Sequence, residues 1–235
     1  MNEIAPGLHS LGQRMGGRVH AFLIVEDDGL TLIDTMWDTD GHRVLEAIAA
    51  LGKTPQDLKR IVLTHGHRSH LGGTAALKAA SGATVYAHQA EVDIIEGDRK
   101  PQGSTLKPMR PFLTWLPTYP IQVGLALGLG THPPCPVDQP LAEGDRLGSL
   151  EVLHAPGHSP GHLGFWWPER RVLIAGDAIA TWPTFAAGWP RLNLNHKQQR
   201  ETIHRMAELE PEVLGVGHGE PITTNVADQV RSLAT

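Results

Sequence analysis

Three histidines fall within six positions in residues 61–73, IVLTHGHRSHLGG: His65, His67 and His70. Imidazoles at this spacing after an apolar run point to metal, because zinc takes imidazole and carboxylate donors in four-coordinate sites. In an extended segment alternate side chains share a side, so His65 and His67 can reach one ion, while His70, beyond the turn, faces a neighbouring one. Two adjacent sites are expected, each with about three protein donors and a position left for water. A carboxylate would be the natural residue between His67 and His70 if two ions sat side by side, but the chain has Ser69 there. More donors lie in residues 154–167, HAPGHSPGHLGFWW, where a Pro-Gly turn presents His158. His154 and His162 share that stretch, and composition does not rank the three. Asp177 ends an apolar run and could bridge two cations, and His218 stands between Gly217 and Gly219. His9, His20, His42, His88, His132, His196 and His204 read as solvated or hydrogen-bonded side chains. The chemistry such a centre offers is hydrolysis: bound zinc lowers the pKa of its water to about 7, and the resulting hydroxide attacks a carbonyl.

The elements that must carry these residues are legible in the hydrophobic pattern. Residues 20–25 and 29–35 read as strands, the second ending near Asp34. Asp38 to Asp40 offer caps for a helix that puts Val44, Leu45, Ile48 and Leu51 on one face and closes at Gly52. Residues 60–63 form the strand that delivers the histidine loop, followed by helix over 74–80, strand over 83–87 and a helical piece over 89–96. Residues 149–154 are a strand leading into the turn that presents His158. Residues 170–178 again bring an aspartate to the end of an apolar run. A helix over 197–209 follows, stopped by Pro211, and then 212–219 (EVLGVGHG) mirrors IVLTHGH. Strand-Asp, helix, strand-His therefore occurs twice, which suggests a pseudo-duplicated architecture. Two sheets packed face to face, with helices outside, would bring both aspartates and all histidine loops to one edge. Residues 99–140, proline-rich and containing Trp115 and Tyr119, are expected to be irregular, either a lid over the site or a surface insertion. The apolar run 121–129 is read as a buried or lid element.

Composition narrows the function classes. With 40% apolar and 19% charged residues the 235-residue chain can bury a core, and one domain spanning 1–235 is expected. A formal net charge of -5 gives no basic patch for nucleic acid. The run 121–129 is far short of the roughly 20 residues a membrane span requires. The single cysteine, Cys135, excludes an internal disulfide, and residues 1–17 lack an export pattern, so a cytoplasmic location is expected. The partner implied is a small-molecule substrate, and oligomeric state is left open.

Taken together, THGHRSH at 64–70, PGHSPGH around His158, the Gly176-Asp177 step and GHG around His218 resemble the motif set of the metallo-β-lactamase fold superfamily over nearly the whole chain. The resemblance implies an α/β fold, an αββα sandwich of two mixed β-sheets flanked by helices. It further implies that His65, His67 and His158 hold a first metal, that His70 and His218 hold a second, that Asp177 lies between them, and that Asp34 is a supporting acid. The family signature THxHxDH has an aspartate ligand where this chain has Ser69, so a weakened second site is expected, from a natural variation or a deliberate change. The implied activity is a zinc-dependent hydrolase, with one or two ions, acting on an ester, lactone, thioester or β-lactam. Asp177 and His218 are its catalytic candidates, Asp177 orienting the water, and Trp182 and Trp189 are candidates for the pocket wall. A glyoxalase II-type assignment is disfavoured because little chain follows His218, and a periplasmic β-lactamase because no export signal precedes the domain. The alternatives are an iron persulfide-dioxygenase-like oxidoreductase using His65, His158 and Asp177, and a non-catalytic or impaired relative.

Overall fold

The computed structural model describes residues 1–100, 110–127 and 130–234. Seven strands hydrogen-bond in chain order to form the first sheet: β1 (Asn2–Ala5), β2 (Leu8–Gln13), β3 (Val19–Glu26), β4 (Gly29–Ile33), β5 (Leu58–Val62), β6 (Thr84–His88) and β7 (Gln139–Leu141). Neighbours run antiparallel from β1 to β4 and parallel from β4 to β7. The second sheet holds β8 (Arg146–Leu147), β9 (Leu150–His154), β10 (Leu163–Trp167), β11 (Val172–Ile174) and β12 (Val213–Gly215), in the order β12-β11-β10-β9-β8. Its pairs are antiparallel except β11 with β12.

Side chains alternate across a strand, and here both faces are covered, which is why the central strands read as unbroken apolar runs. On β3, Phe22 and Ile24 point into a layer shared with Val152, Leu163, Phe165 and Ile174 of the second sheet. Ala21 and Leu23 point outward to Val44, Ile48 and Leu77 of the helices His42–Ala50 and Thr74–Ser81. On the far side, Trp166, Leu173 and Leu214 meet Ile203 and Met206 of helix His196–Glu208 and Val230 of helix Val226–Leu233. The result is the helix-sheet-sheet-helix sandwich expected from the pattern.

The strand-helix-strand order seen twice in the sequence becomes two parallel strand pairs. Ile33 of β4 lies beside Val62 of β5, and Ile174 of β11 beside Gly215 of β12. Each pair releases its chain at the same end, so Asp34, the loop of His65, Asp177 and His218 all emerge at one edge of the sandwich. The edge is tied across the two sheets where Leu163 N–H donates to the Thr64 carbonyl at 2.8 Å.

Local differences from the sequence reading have local causes. The helix expected after Asp38–Asp40 begins at His42, and Asp40 accepts from His42 N–H at 3.0 Å. Strands β1 and β2 were not expected, because LHSLGQ alternates too weakly to declare itself. The expected insertion 99–140 and the run 121–129 lie partly outside the described residues, at 101–109 and at 128 and 129. Within the described part, irregular chain gives way to helices Phe112–Trp115, which Pro111 precedes at the N-cap, and Tyr119–Ala126, whose Pro120 lies in the first turn, where the missing N–H costs nothing. Trp115, Ile121 and Leu125 pack with Trp189 and Leu192. Among the described residues no helix is long and apolar enough to cross a membrane.

Candidate metal centre

Five imidazoles and one carboxylate converge at this edge. His65, His67, His158 and Asp177 form one group and His70, Asp177 and His218 a second, in each of which the potential ligand atoms lie within 4.8 Å of one another. His67 Nδ1 is 3.0 Å from His65 Nε2 and 3.1 Å from His158 Nε2. Asp177 is common to both groups: its Oδ2 stands 3.5 Å from His158 Nε2 and 3.3 Å from His218 Nε2, and its Oδ1 3.3 Å from His70 Nε2. The alternation argument thus places His65 with His67, and the turn carries His70 to the neighbouring group. Ser69 is buried beside them on the short helix Arg68–Leu71 and belongs to neither group.

What prepares each ring is the partner of its other nitrogen. Thr64 Oγ1 donates to Asp34 Oδ2 at 2.8 Å, so at 3.0 Å it accepts from His65 Nδ1–H and leaves Nε2 with its lone pair. His70 Nδ1 donates to the same Asp34 oxygen at 2.8 Å. Asn193 is oriented by its Nδ2 donating to the Ala187 carbonyl, and its Oδ1 takes His158 Nδ1–H at 3.3 Å. His218 Nδ1 donates to the Gly17 carbonyl at 2.9 Å. Gly17 holds a φ of 94°, and a Cβ there would come within 2.8 Å of Trp189 and 3.2 Å of His218 Nδ1, so only glycine brings that carbonyl so close. Such outer hydrogen bonds fix the tautomer and orientation of metal-binding histidines.

The protonation states follow from burial and neighbouring charge. Burial drives His65, His67 and His158 toward the neutral form, His67 to about 4 and the other two well below their ordinary value. A neutral imidazole is what a metal requires. Burial also opposes charge on His70, but Asp177 and Asp34 on either side outweigh it and push His70 up to about 10. Burial raises the Asp177 carboxyl, and His218 and His70 more than offset that, holding it well below the carboxylate range. His70 Nε2 and Asp177 Oδ1 are buried and face each other at 3.3 Å, with no well-formed hydrogen bond to any other protein group. Two orphaned donor atoms in so dry a place fit a cation between them.

The three histidines left unranked by composition separate cleanly. His158 enters the first group. His162 accepts from Asp177 N–H through Nε2 at 3.0 Å, so it steadies Asp177, and burial lowers it to about 4. His154 lies away from the cluster, stacked on His88 with ring centroids 4.5 Å apart. His20 is buried against Ser10 Oγ at 2.7 Å, His132 bonds the Ile95 carbonyl, His42 pairs with Glu46, and His196 and His204 are exposed.

One residue with a large part in the site carried no sequence signal. Glu91, 2% exposed, accepts Gly66 N–H at 3.0 Å with Oε2, and Ser159 Oγ–H at 2.7 Å and Gly161 N–H at 2.9 Å with Oε1. Gly66 lies between His65 and His67, and Ser159 follows His158, so one carboxylate clamps the two loops that supply the first group. A Cβ at Gly161 would sit 2.8 Å from Glu91 Cγ, and one at Gly66 3.1 Å from its Oε2.

A narrow cavity of about 20 Å³ opens on the cluster, with His67, Ser69 and His218 on one wall and Trp37, Ile121, Leu125, Trp189 and Leu192 on the others. That is room for about one water, so a larger occupant must displace side chains of helix Tyr119–Ala126. Trp189 stacks on His218, centroids 4.4 Å apart, whereas Trp182 packs behind Trp189 and does not line the cavity.

Comparison with known proteins gives concordant matches. Residues 14–218 match the model of the family Lactamase_B, described as the metallo-beta-lactamase superfamily. The Bacillus subtilis protein named "Probable metallo-hydrolase YflN" is 29% identical over 243 residues, covering 94% of this chain and 87% of the relative. The crystal structure of the metallo-beta-lactamase family protein TTHA1429 from Thermus thermophilus superposes with a TM-score of 0.71 at 27% identity, covering 99% of this chain and 79% of that one. TTHA1623, solved in a di-iron-bound form, superposes with a TM-score of 0.68 at 26% identity over 96% of this chain and 98% of its own.

Proposed function

We propose that this chain, which belongs to the metallo-beta-lactamase superfamily, is a zinc-dependent hydrolase that opens a carbonyl substrate: an ester, lactone, thioester or β-lactam. Family and relatives point to a metallo-hydrolase, and the observation that carries the reading is the convergence of His65, His67, His158, His70 and His218 on Asp177. His65, His67 and His158 would hold the first ion, His70 and His218 the second, with Asp177 between. A divalent ion bound there supplies Lewis acidity and a water acidic enough to attack near neutral pH. Asp177, fixed from behind by His162, would orient that water. His218, held by the Gly17 carbonyl and against Trp189, would be fixed as a donor to the second ion. The apolar walls at Ile121, Leu125 and Trp189 keep bulk water away, which strengthens each of these interactions.

An iron oxygenase needs two histidines and one carboxylate with open positions for oxygen. His65, His158 and Asp177 could supply them, but His67 Nδ1, within 3.1 Å of both rings, fills a third imidazole place and favours the hydrolytic centre. The likeness to a di-iron-bound protein keeps iron as the alternative metal. A cytoplasmic location fits the single, buried Cys135. Protein purified without added metal, analysed for zinc and iron and assayed on a panel of esters, lactones, thioesters and β-lactams, tests the reading. Zinc with turnover of at least one class is expected. One equivalent of iron with oxygen consumption, or silence on the whole panel from fully loaded protein, overturns it.

A further inference from the structure

The cavity over the cluster holds one permanent cation, Arg68, and no acidic residue among those that line it. Arg68 lies between His67 and Ser69, so the turn that supplies the imidazoles also sets the guanidinium at the cavity. Its Cζ sits 4.6 Å over the Trp37 ring, and Nη1 donates to the Thr131 carbonyl at 2.7 Å. The described arginines that form ion pairs are Arg43, Arg60, Arg171, Arg205 and Arg231, and Arg68 is not one of them. Residues 101–109, 128 and 129 contain no aspartate or glutamate that could serve it. Arg68 Nε is buried without a hydrogen-bond partner. Arg68 is half-buried, with its face on Trp37 and Nη1 bonded, so the edge at Nε is the part of the guanidinium left without a protein partner, and such a fork edge matches a carboxylate in a bidentate way.

Ser69 strengthens the case. An acidic side chain there would place a negative charge next to Arg68 and repel an anionic ligand, whereas the serine is neutral. The remaining walls, Trp37, Ile121, Leu125, Trp189 and Leu192, are apolar. We propose that the substrate is an apolar carbonyl compound bearing a carboxylate, and that Arg68 binds that carboxylate and so sets specificity; this rests on the hydrolase reading given above.

The test uses the zinc-loaded full chain and a matched pair of probes, phenylacetate and phenylacetamide, which share an apolar body and differ in charge. Calorimetric titration should show phenylacetate binding about tenfold or more tighter than the amide, the scale of one charge-assisted hydrogen bond. Arg68→Gln should bring the two together at unchanged zinc content, and Arg68→Lys, which keeps the charge but loses the fork, should weaken phenylacetate while leaving the amide alone. Equal affinities in the parent protein overturn the proposal. So does a preference that survives Arg68→Gln, since the zinc would then be reading the carboxylate by itself. If Arg68→Gln does not fold, an Arg68→Lys variant that binds phenylacetate as tightly as the parent overturns it equally. Turnover of neutral and carboxylate-bearing phenyl esters is measured separately. Absence of any turnover removes the hydrolase reading and leaves the binding preference standing, while turnover without preference removes the role of Arg68 alone.

Discussion

Replacing Glu91 should damage the first metal site without touching a ligand. In Glu91→Ala three donors lose their acceptor: Gly66 N–H, Ser159 Oγ–H and Gly161 N–H, previously at 3.0, 2.7 and 2.9 Å. Leaving a buried donor unsatisfied costs about 1–3 kcal/mol. Because the three share one partner their costs do not simply add, and a total of roughly 3–6 kcal/mol is expected. Glu91→Gln is the sharper probe. Its amide oxygen can keep Ser159 and Gly161, but its NH₂ then meets Gly66 N–H, donor against donor, for a cost of about 1–3 kcal/mol placed between His65 and His67. Losing such an outer support lowers metal affinity by about 10- to 100-fold. Ser159→Ala, which removes one donor and leaves Gly161 on the same oxygen, should cost only about 1 kcal/mol. Urea unfolding of metal-free protein measures the stability change, and chelator competition measures affinity for the first ion. If Glu91→Gln shifts neither quantity, the clamp argument fails. If stability falls while affinity holds, Glu91 is a packing residue and the coupling between the two loops is refuted.

Ser69→Asp should raise retention of a second ion by an order of magnitude or more, read as the metal-to-protein ratio after dialysis, and an unchanged ratio would show that the serine is not what limits that site. In metal-free protein the contribution of His70, pushed up from 6.5 to about 10, is fully present below pH 6.5 and lost as pH rises through about 10. That of Asp177, held below 3.8, is present above pH 3.8 and lost as pH falls through its lowered value. The urea midpoint should therefore decline at both ends, and a midpoint that keeps rising from pH 7 to pH 10 would contradict the assignment. Gly17→Ala must force a side chain into a φ of 94° and against Trp189, so a loss of about 1–3 kcal/mol is expected, with retention of the second ion reduced more than that of the first.

The parts of the site that sequence reveals are those fixed by chain-local geometry. His65 and His67 are two apart just beyond β5, which ends at Val62, and the alternation of that strand carried into the loop predicts their common side. Asp34 and Asp177 end apolar runs whose strands pair in parallel with the strands leading to His65 and His218, so finding one of each pair locates the other. Glu91 obeys no such rule: it reaches Gly66 across 25 positions from within a stretch that reads as an ordinary surface helix. Choosing among His154, His158 and His162 likewise depends on which ring nitrogen is already bonded, and the Asn193, Asp177 and Pro160 atoms that decide it arrive from other loops or only through the turn's shape. The helices between 110 and 127 were hidden by their prolines, which signal irregular chain in a sequence but start helices when they fall in or just before the first turn.

The two halves of the cluster differ in charge before any ion arrives. Three of the first group's donors are imidazoles kept neutral by burial, so an ion meets lone pairs that need no proton removed. In the second group the proton that burial would expel from His70 is retained between Asp34 and Asp177, and an ion must displace it. A carboxylate at position 69 would help to do that by adding charge on the ion's side; the Ser69 hydroxyl adds none. Loading should then be sequential, with the group built on His65, His67 and His158 filled first and about one proton released only when the second fills. The same asymmetry leaves the cavity side of the second group short of negative charge, next to an arginine with no acidic partner among the described residues, which is where an anionic substrate would be most strongly drawn.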